Sequence, residues 1–131
     1  MSLIFGKAEK KDFHRINELF GEMLQTIYQT DQVNGYPDGA LDRFFSDCDE
    51  WISIAKDNNQ IIAFLSIEVH HEDEEYIYLD DFSVTKQYRD QGIGTAMIRS
   101  AETYAKEIHI PTICFHVEKA NTAACRLYER R

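Results

Sequence analysis

YLDDFSVTKQYRDQGIGTAMIRSAETYAK, residues 78–106, is the stretch whose reading decides the fold. Residues 78–84 are rich in β-branched and aromatic side chains, with Asp80 and Asp81 in the middle, and read as a strand. Residues 87–94 are polar and glycine-bearing, and read as a loop. From Ile93 onward, apolar or small residues recur at Ala96, Met97, Ser100, Ala101, Tyr104, Ala105 and Ile108, the spacing of one helix face.

A strand, a glycine loop and a helix start are what an anion-binding turn needs. The first backbone N–H groups of a helix have no internal partner and sit at the positive end of its dipole. Gly92 and Gly94 lack a Cβ, so an anion can approach those amides closely. Arg89 adds a cation at the mouth, and Thr95 offers a hydroxyl. Two local readings stand side by side: a phosphate cradle, and a plain helix start with two turn glycines. The nucleotide P-loop is excluded because no Gly-Lys-Ser/Thr follows. The dinucleotide pattern G-x-G-x-x-G is excluded by the spacing.

The run VTKQYRDQGIGTAMI resembles the acetyl-CoA-binding motif of the GNAT superfamily of N-acetyltransferases, (Arg/Gln)-x-x-Gly-x-(Gly/Ala). Arg89, Gly92 and Gly94 fill it. A later run, NTAACRLYERR from Asn121, resembles the family's Asn-x-x-Ala-x-x-Leu-Tyr-Glu motif through Asn121, Ala124, Leu127, Tyr128 and Glu129. Both motifs in the right order are far more specific than either alone.

With 131 residues, the chain is one domain with one packed core, residues 1–131. A hydrophobic fraction of 44% is ordinary globular composition. No apolar run approaches the ~20 residues of a membrane span, and the N-terminus lacks a signal-peptide layout. Cys48, Cys114 and Cys125 are an odd number without metal-type spacing, which suits a reducing cytoplasm. A formal charge of −9 argues against a nucleic-acid partner and suits a cationic substrate.

The remaining chain agrees with an α/β fold. Residues 3–9 read as a first strand, and Asp12 caps a helix with Phe13, Ile16, Leu19, Phe20, Met23, Leu24 and Ile27 inward. Asp38 caps a second short helix with Leu41, Phe44, Phe45 and Cys48 inward. The segment between carries Tyr28, Asp31, Tyr36 and Asp38, read either as a solvated loop or as substrate contacts. Residues 51–56 and 61–69 form a hairpin across Asp57-Asn58-Asn59-Gln60. The run HHEDEE from His70 reads as a hairpin tip rather than a metal site, because neighbouring residues there point apart. Pro111 ends the second long helix, residues 112–117 form a strand, and Asn121 opens a last helix with Leu127 and Tyr128 inward.

The resemblance implies the GNAT, or acyl-CoA N-acyltransferase, fold: a mixed central β-sheet with a splayed parallel strand pair and helices on both faces. It implies a single acetyltransferase domain that uses acetyl-CoA, needs no metal, and acetylates a primary amine by direct attack. Phe82, Ser83 and Val84 would offer a backbone edge to the pantetheine arm. Arg89, Asp90, Gln91, Gly92, Ile93, Gly94 and Thr95 would hold the pyrophosphate, and Asn121 would touch the arm. Tyr128 would protonate the leaving thiolate. Asp80 is the favoured base, with Asp81, His116 or a water as alternatives, and Asp80 and Asp81 are expected on opposite strand faces. The alternative function is a non-catalytic acyl-CoA sensor. Family members usually continue past the tyrosine with further strands. Their absence predicts an open edge on the strand at residues 112–117, read as a short or truncated gene, as a portion of a longer protein, or as an edge covered by a second copy of the chain, with a homodimer the hypothesis favoured.

Overall fold

A computed structural model describes residues 3–28, 35–37, 39–46, 49–117 and 122–127. Its six-stranded sheet runs in chain order: β1 (Leu3–Lys7), β2 (Trp51–Asp57), β3 (Gln60–His70), β4 (Tyr76–Val84), β5 (Thr112–Val117) and β6 (Thr122–Leu127). The first four strands form an antiparallel meander, while β4 and β5 are parallel because a helix crosses between them. Between β2 and β3, Asn58 and Asn59 hold φ of 52° and 67°, the two left-handed positions of a tight hairpin turn.

Helix α1 (Phe13–Tyr28) buries Ile16 and Leu19 with Ile52, Ile54 and Phe64 on one sheet face. Helix α2 (Ile93–Glu107) buries Met97, Ala101 and Ala105 with Ile67, Ile77 and Ile113 on the other. The central strand β3 is covered on both faces, which is why its sequence is almost continuously apolar. The second short helix expected after Asp38 forms a single 3-10 turn at Asp42–Phe45, with Phe44 buried. The hairpin tip after β3 is braced by His71, whose ring nitrogens each lie 2.6 Å from a carboxylate, Glu75 and Asp49.

Two features differ from the sequence reading. Residues 122–127 are a strand rather than a helix; β6 lies antiparallel to β5, with Phe115 opposite Ala124. Alanine-rich sequence favours helix locally, but the unsatisfied ladder of β5 is completed by a strand, and pairing overrides propensity. The open edge expected on β5 is therefore occupied, and the case it made for a second copy goes with it. Cys114 is disulfide-bonded, which cysteine count and spacing do not reveal. Strand pairing sets sequence-distant residues side by side, which spacing alone does not show.

Candidate active site

Where β4 and β5 separate, the site begins. Their pairing covers only Ile77 with Ile113, Tyr78 with Cys114 and Leu79 with Phe115. Beyond Leu79, β4 continues to Val84 with no strand paired on that side among the described residues. The parting coincides with a bulge. On the β3 side Leu65 pairs with Phe82 and Ile67 with Leu79, so Asp80 and Asp81 together oppose the single residue Ser66. The Ser66 hydroxyl replaces the missing ladder bonds, accepting from Asp81 N at 2.8 Å and donating to Asp81 O at 3.3 Å.

The bulge corrects the expectation that Asp80 and Asp81 point to opposite faces. Leu79 and Phe82 both join the α2-side core. Both aspartates between them turn to the α1 side: Asp81 accepts from the Tyr36 hydroxyl at 2.6 Å, and Asp80 hydrogen-bonds Glu68. Period-two alternation cannot anticipate an inserted residue. Burial and then the Asp81 carboxylate push the Tyr36 phenol far above its ordinary range, so it stays a donor. Burial, followed by the Asp80 carboxyl, raises Glu68, while Arg43 and His70 oppose the rise.

A cavity of about 440 Å³ opens on the other side of Phe82, between the C-terminal half of α1 and the start of α2. It is lined by Phe82, Ser83, Val84, Arg89, Asp90, Gly92, Ile93, Gly94 and Thr95, the positions expected from the sequence, and Gln91 alone of the expected run is absent. Gly92 is the N-cap of α2 at φ 80°, and no side chain caps the helix. The two glycines serve different ends. At Gly92 the left-handed backbone is what excludes other residues, because an added Cβ would meet nothing within 4 Å. At Gly94 a Cβ would sit 2.8 Å from Phe82 Cζ, so the turn must be bare for that ring to pack.

Arg89 is less free than a cation waiting for an anion. Its Nε donates to Val84 O at 2.9 Å, and its Nη2 lies 3.5 Å from Glu22 Oε1. Glu22 also accepts from Lys86 N at 2.8 Å and from the Thr85 hydroxyl at 3.0 Å. This clamp joins α1 to the end of β4, and Met23 and Thr26 of α1 line the cavity beside it. Glu22, Met23, Tyr36 and Glu68 were not singled out for the site from sequence, except Tyr36 as an open alternative. Nothing in a helical or strand period marks which polar residue will meet a distant loop. Asn121 and Tyr128 lie outside the described residues, as does the side chain of His116.

A mixed sheet that parts beside an uncapped helix turn, with titratable groups on the neighbouring face, suits an anionic group on the turn and an extended arm along β4. The chain belongs to the acetyltransferase (GNAT) family, whose model matches residues 21–131. It is 27% identical over 139 residues to Streptothricin acetyltransferase A of Bacillus subtilis (strain 168), covering 92% of this chain and 77% of that protein. An aminoglycoside acetyltransferase from an uncultured soil metagenomic sample, solved with sisomicin, superposes with a TM-score of 0.72 at 16% identity. The match covers 90% of this chain and 79% of that one. The PaiA N-acetyltransferase of Thermoplasma acidophilum, solved with coenzyme A, gives 0.72 at 16% identity, over 93% and 83% of the two chains. The expected GNAT fold and acetyltransferase activity on an amine are thereby met.

Proposed function

We propose that the donor is acetyl-CoA and the acceptor a primary amine on a small cationic molecule, with streptothricin the first compound to try. The observation that carries this reading is the bulge. It turns Asp80 and Asp81 to the same face of β4, just where the sheet parts and immediately before the cavity-lining Phe82 in the chain. A cationic amine is attracted to such a face, and the formal charge of −9 adds a long-range field of the same sign. The likeness to a streptothricin acetyltransferase supports the choice of first acceptor.

The residues present fit acetyl-CoA. The uncapped amides of Ile93, Gly94 and Thr95 suit a diphosphate, and the cavity floor at Phe82–Val84 offers an extended amide-bearing arm a strand edge that no described strand pairs with. When bound, acetyl-CoA supplies an activated thioester whose carbonyl carbon the amine attacks as the C–S bond breaks. Asp80 removes a proton from the arriving ammonium. Tyr128 protonates the departing thiolate, a fitting task for a phenol of pKa ~10, and Asn121 steadies the arm.

The test is a thiol-release assay with mass spectrometry of the product, run on streptothricin, an aminoglycoside and uncharged primary amines. Acetylation of the cationic compounds at the higher kcat/KM is expected. Preference for uncharged amines overturns the acceptor. Acetyl-CoA binding without turnover on any amine points to a sensor instead.

A further inference from the structure

We propose that Glu68 is a positioning residue for the transfer, holding Asp80 as one half of a hydrogen-bonded carboxyl pair that receives the acceptor's proton. The proposal rests on the amine-acetylation reading above and deepens it.

Glu68 lies on β3 opposite Tyr78, and Asp80, two positions on from Tyr78, shares its face by plain alternation. Its side chain is 16% exposed and is hydrogen-bonded to Asp80. Two carboxyls in contact cannot both ionise without repulsion, so over part of the pH range they share one proton. Among the described residues, charged and titratable groups reach them from several elements. From the turn after the first helix, Arg43 Nη2 lies 3.2 Å from Glu68 Oε1; from the end of β3, His70 Nε2 lies 3.1 Å from the same oxygen. Arg43 is itself held by Glu50 Oε2 at 3.1 Å, which also accepts from Val69 N. From β4, Tyr78 and Asp81 face the cluster, and Tyr36 reaches it from the segment after α1.

These contacts separate two adjacent aspartates that the sequence leaves equivalent. Asp81 accepts a strong hydrogen bond from a permanently protonated phenol and is committed to structure. Asp80 faces the Glu68 carboxyl instead. Burial and Asp80 together drive Glu68 upward, in line with a shared proton. The active form is the doubly ionised pair. The ammonium N–H proton passes to Asp80, the freed lone pair forms the C–N bond, and the C–S bond breaks. A second nitrogen proton ends on the thiol, and the pair returns its own to water.

The experiment is the pH dependence of kcat/KM for the full chain and for Glu68→Gln, with acetyl-CoA affinity and circular dichroism measured alongside. In Glu68→Gln the acidic limb is expected about one pH unit lower, with kcat near neutrality down about tenfold and acetyl-CoA affinity unchanged. A limb that stays put while acetylation continues overturns the pair and leaves the acetylation reading intact. No turnover by the unaltered chain overturns both. Should the variant not fold, carbon-13 titration of the carboxyls in the unaltered chain decides. Coupled inflections for Glu68 and Asp80 support the pair, and independent ordinary ones overturn it.

Discussion

The Tyr36 hydroxyl donates to Asp81 Oδ2 at 2.6 Å, fastening the segment after α1 to the bulge of β4. The same residue stacks on Phe20 with ring centroids 3.9 Å apart, and its backbone N–H donates to Asn17 Oδ1 at 2.7 Å. Tyr36→Phe keeps the stacking and removes the donor, leaving a partly buried carboxylate short of a hydrogen bond. A loss of about 1–3 kcal/mol in denaturant unfolding is expected, with a raised KM for the amine and an unchanged Kd for acetyl-CoA. A rise in both constants together would place the defect in the whole fold rather than on the acceptor side.

Gly94→Ala and Gly92→Ala should fail in different ways. The methyl at Gly94 meets Phe82 Cζ at 2.8 Å and must displace the ring that floors the cavity. Acetyl-CoA affinity is therefore expected to fall about tenfold or more, the scale of an overpacking cost of 1–3 kcal/mol. Gly92→Ala has room but must hold φ 80°, so it costs about 1 kcal/mol of stability. Calorimetric titration and thermal unfolding of the two variants separate these costs.

Glu22→Gln tests the clamp. The amide oxygen still accepts from Lys86 N, but the negative charge beside Arg89 and the cavity is gone. Binding of acetyl-CoA, a polyanion, is expected to tighten, and to do so more at low ionic strength than at high. Equal affinity at both salt concentrations would mean that Glu22 does not act on the anion.

His71 gives a pH signature. Hydrogen bonds to Glu75, and then to Asp49, raise its pKa above the ordinary 6.5. A histidine raised in the folded state stabilises fully below its unfolded value and loses that contribution as pH climbs through the folded one. The difference in melting temperature between the unaltered chain and His71→Ala should therefore be largest below about pH 6.5 and vanish in alkali. The ring is exposed, so the difference is small and shrinks with salt.

What the sequence revealed was set by local rules, and what it hid was set by distant ones. The Asn58-Asn59 turn, the Ile93, Met97, Ala101 and Ala105 face of α2 and the loop before that helix depend on neighbours within a few residues, and form where the sequence puts them. The parting of β4 from β5 came through the resemblance, because no period marks where a parallel pair stops. Glu68 and Glu22 were invisible as site residues, since their partners lie on other elements. The terminal segment reads as a helix opened by Asn121 with Leu127 and Tyr128 inward, whereas the vacant ladder of β5 that draws it into a strand is a property of the folded sheet.

The inserted residue in β4 works as a phase shift. Before it, odd-numbered positions such as Ile77 and Leu79 look toward α2; after it, the even-numbered Phe82 and Val84 do, while Ser83 bonds Leu19 O at 3.0 Å on the opposite side. Removing one residue at Asp80 or Asp81 would restore plain alternation, with Phe82 still opposite Leu65 and still facing Gly94. What would go is the second acid on the α1 face, together with the Ser66 hydroxyl bonds that hold the doubled position. The extra residue therefore leaves the donor cleft in register and serves only the acidic face beside it.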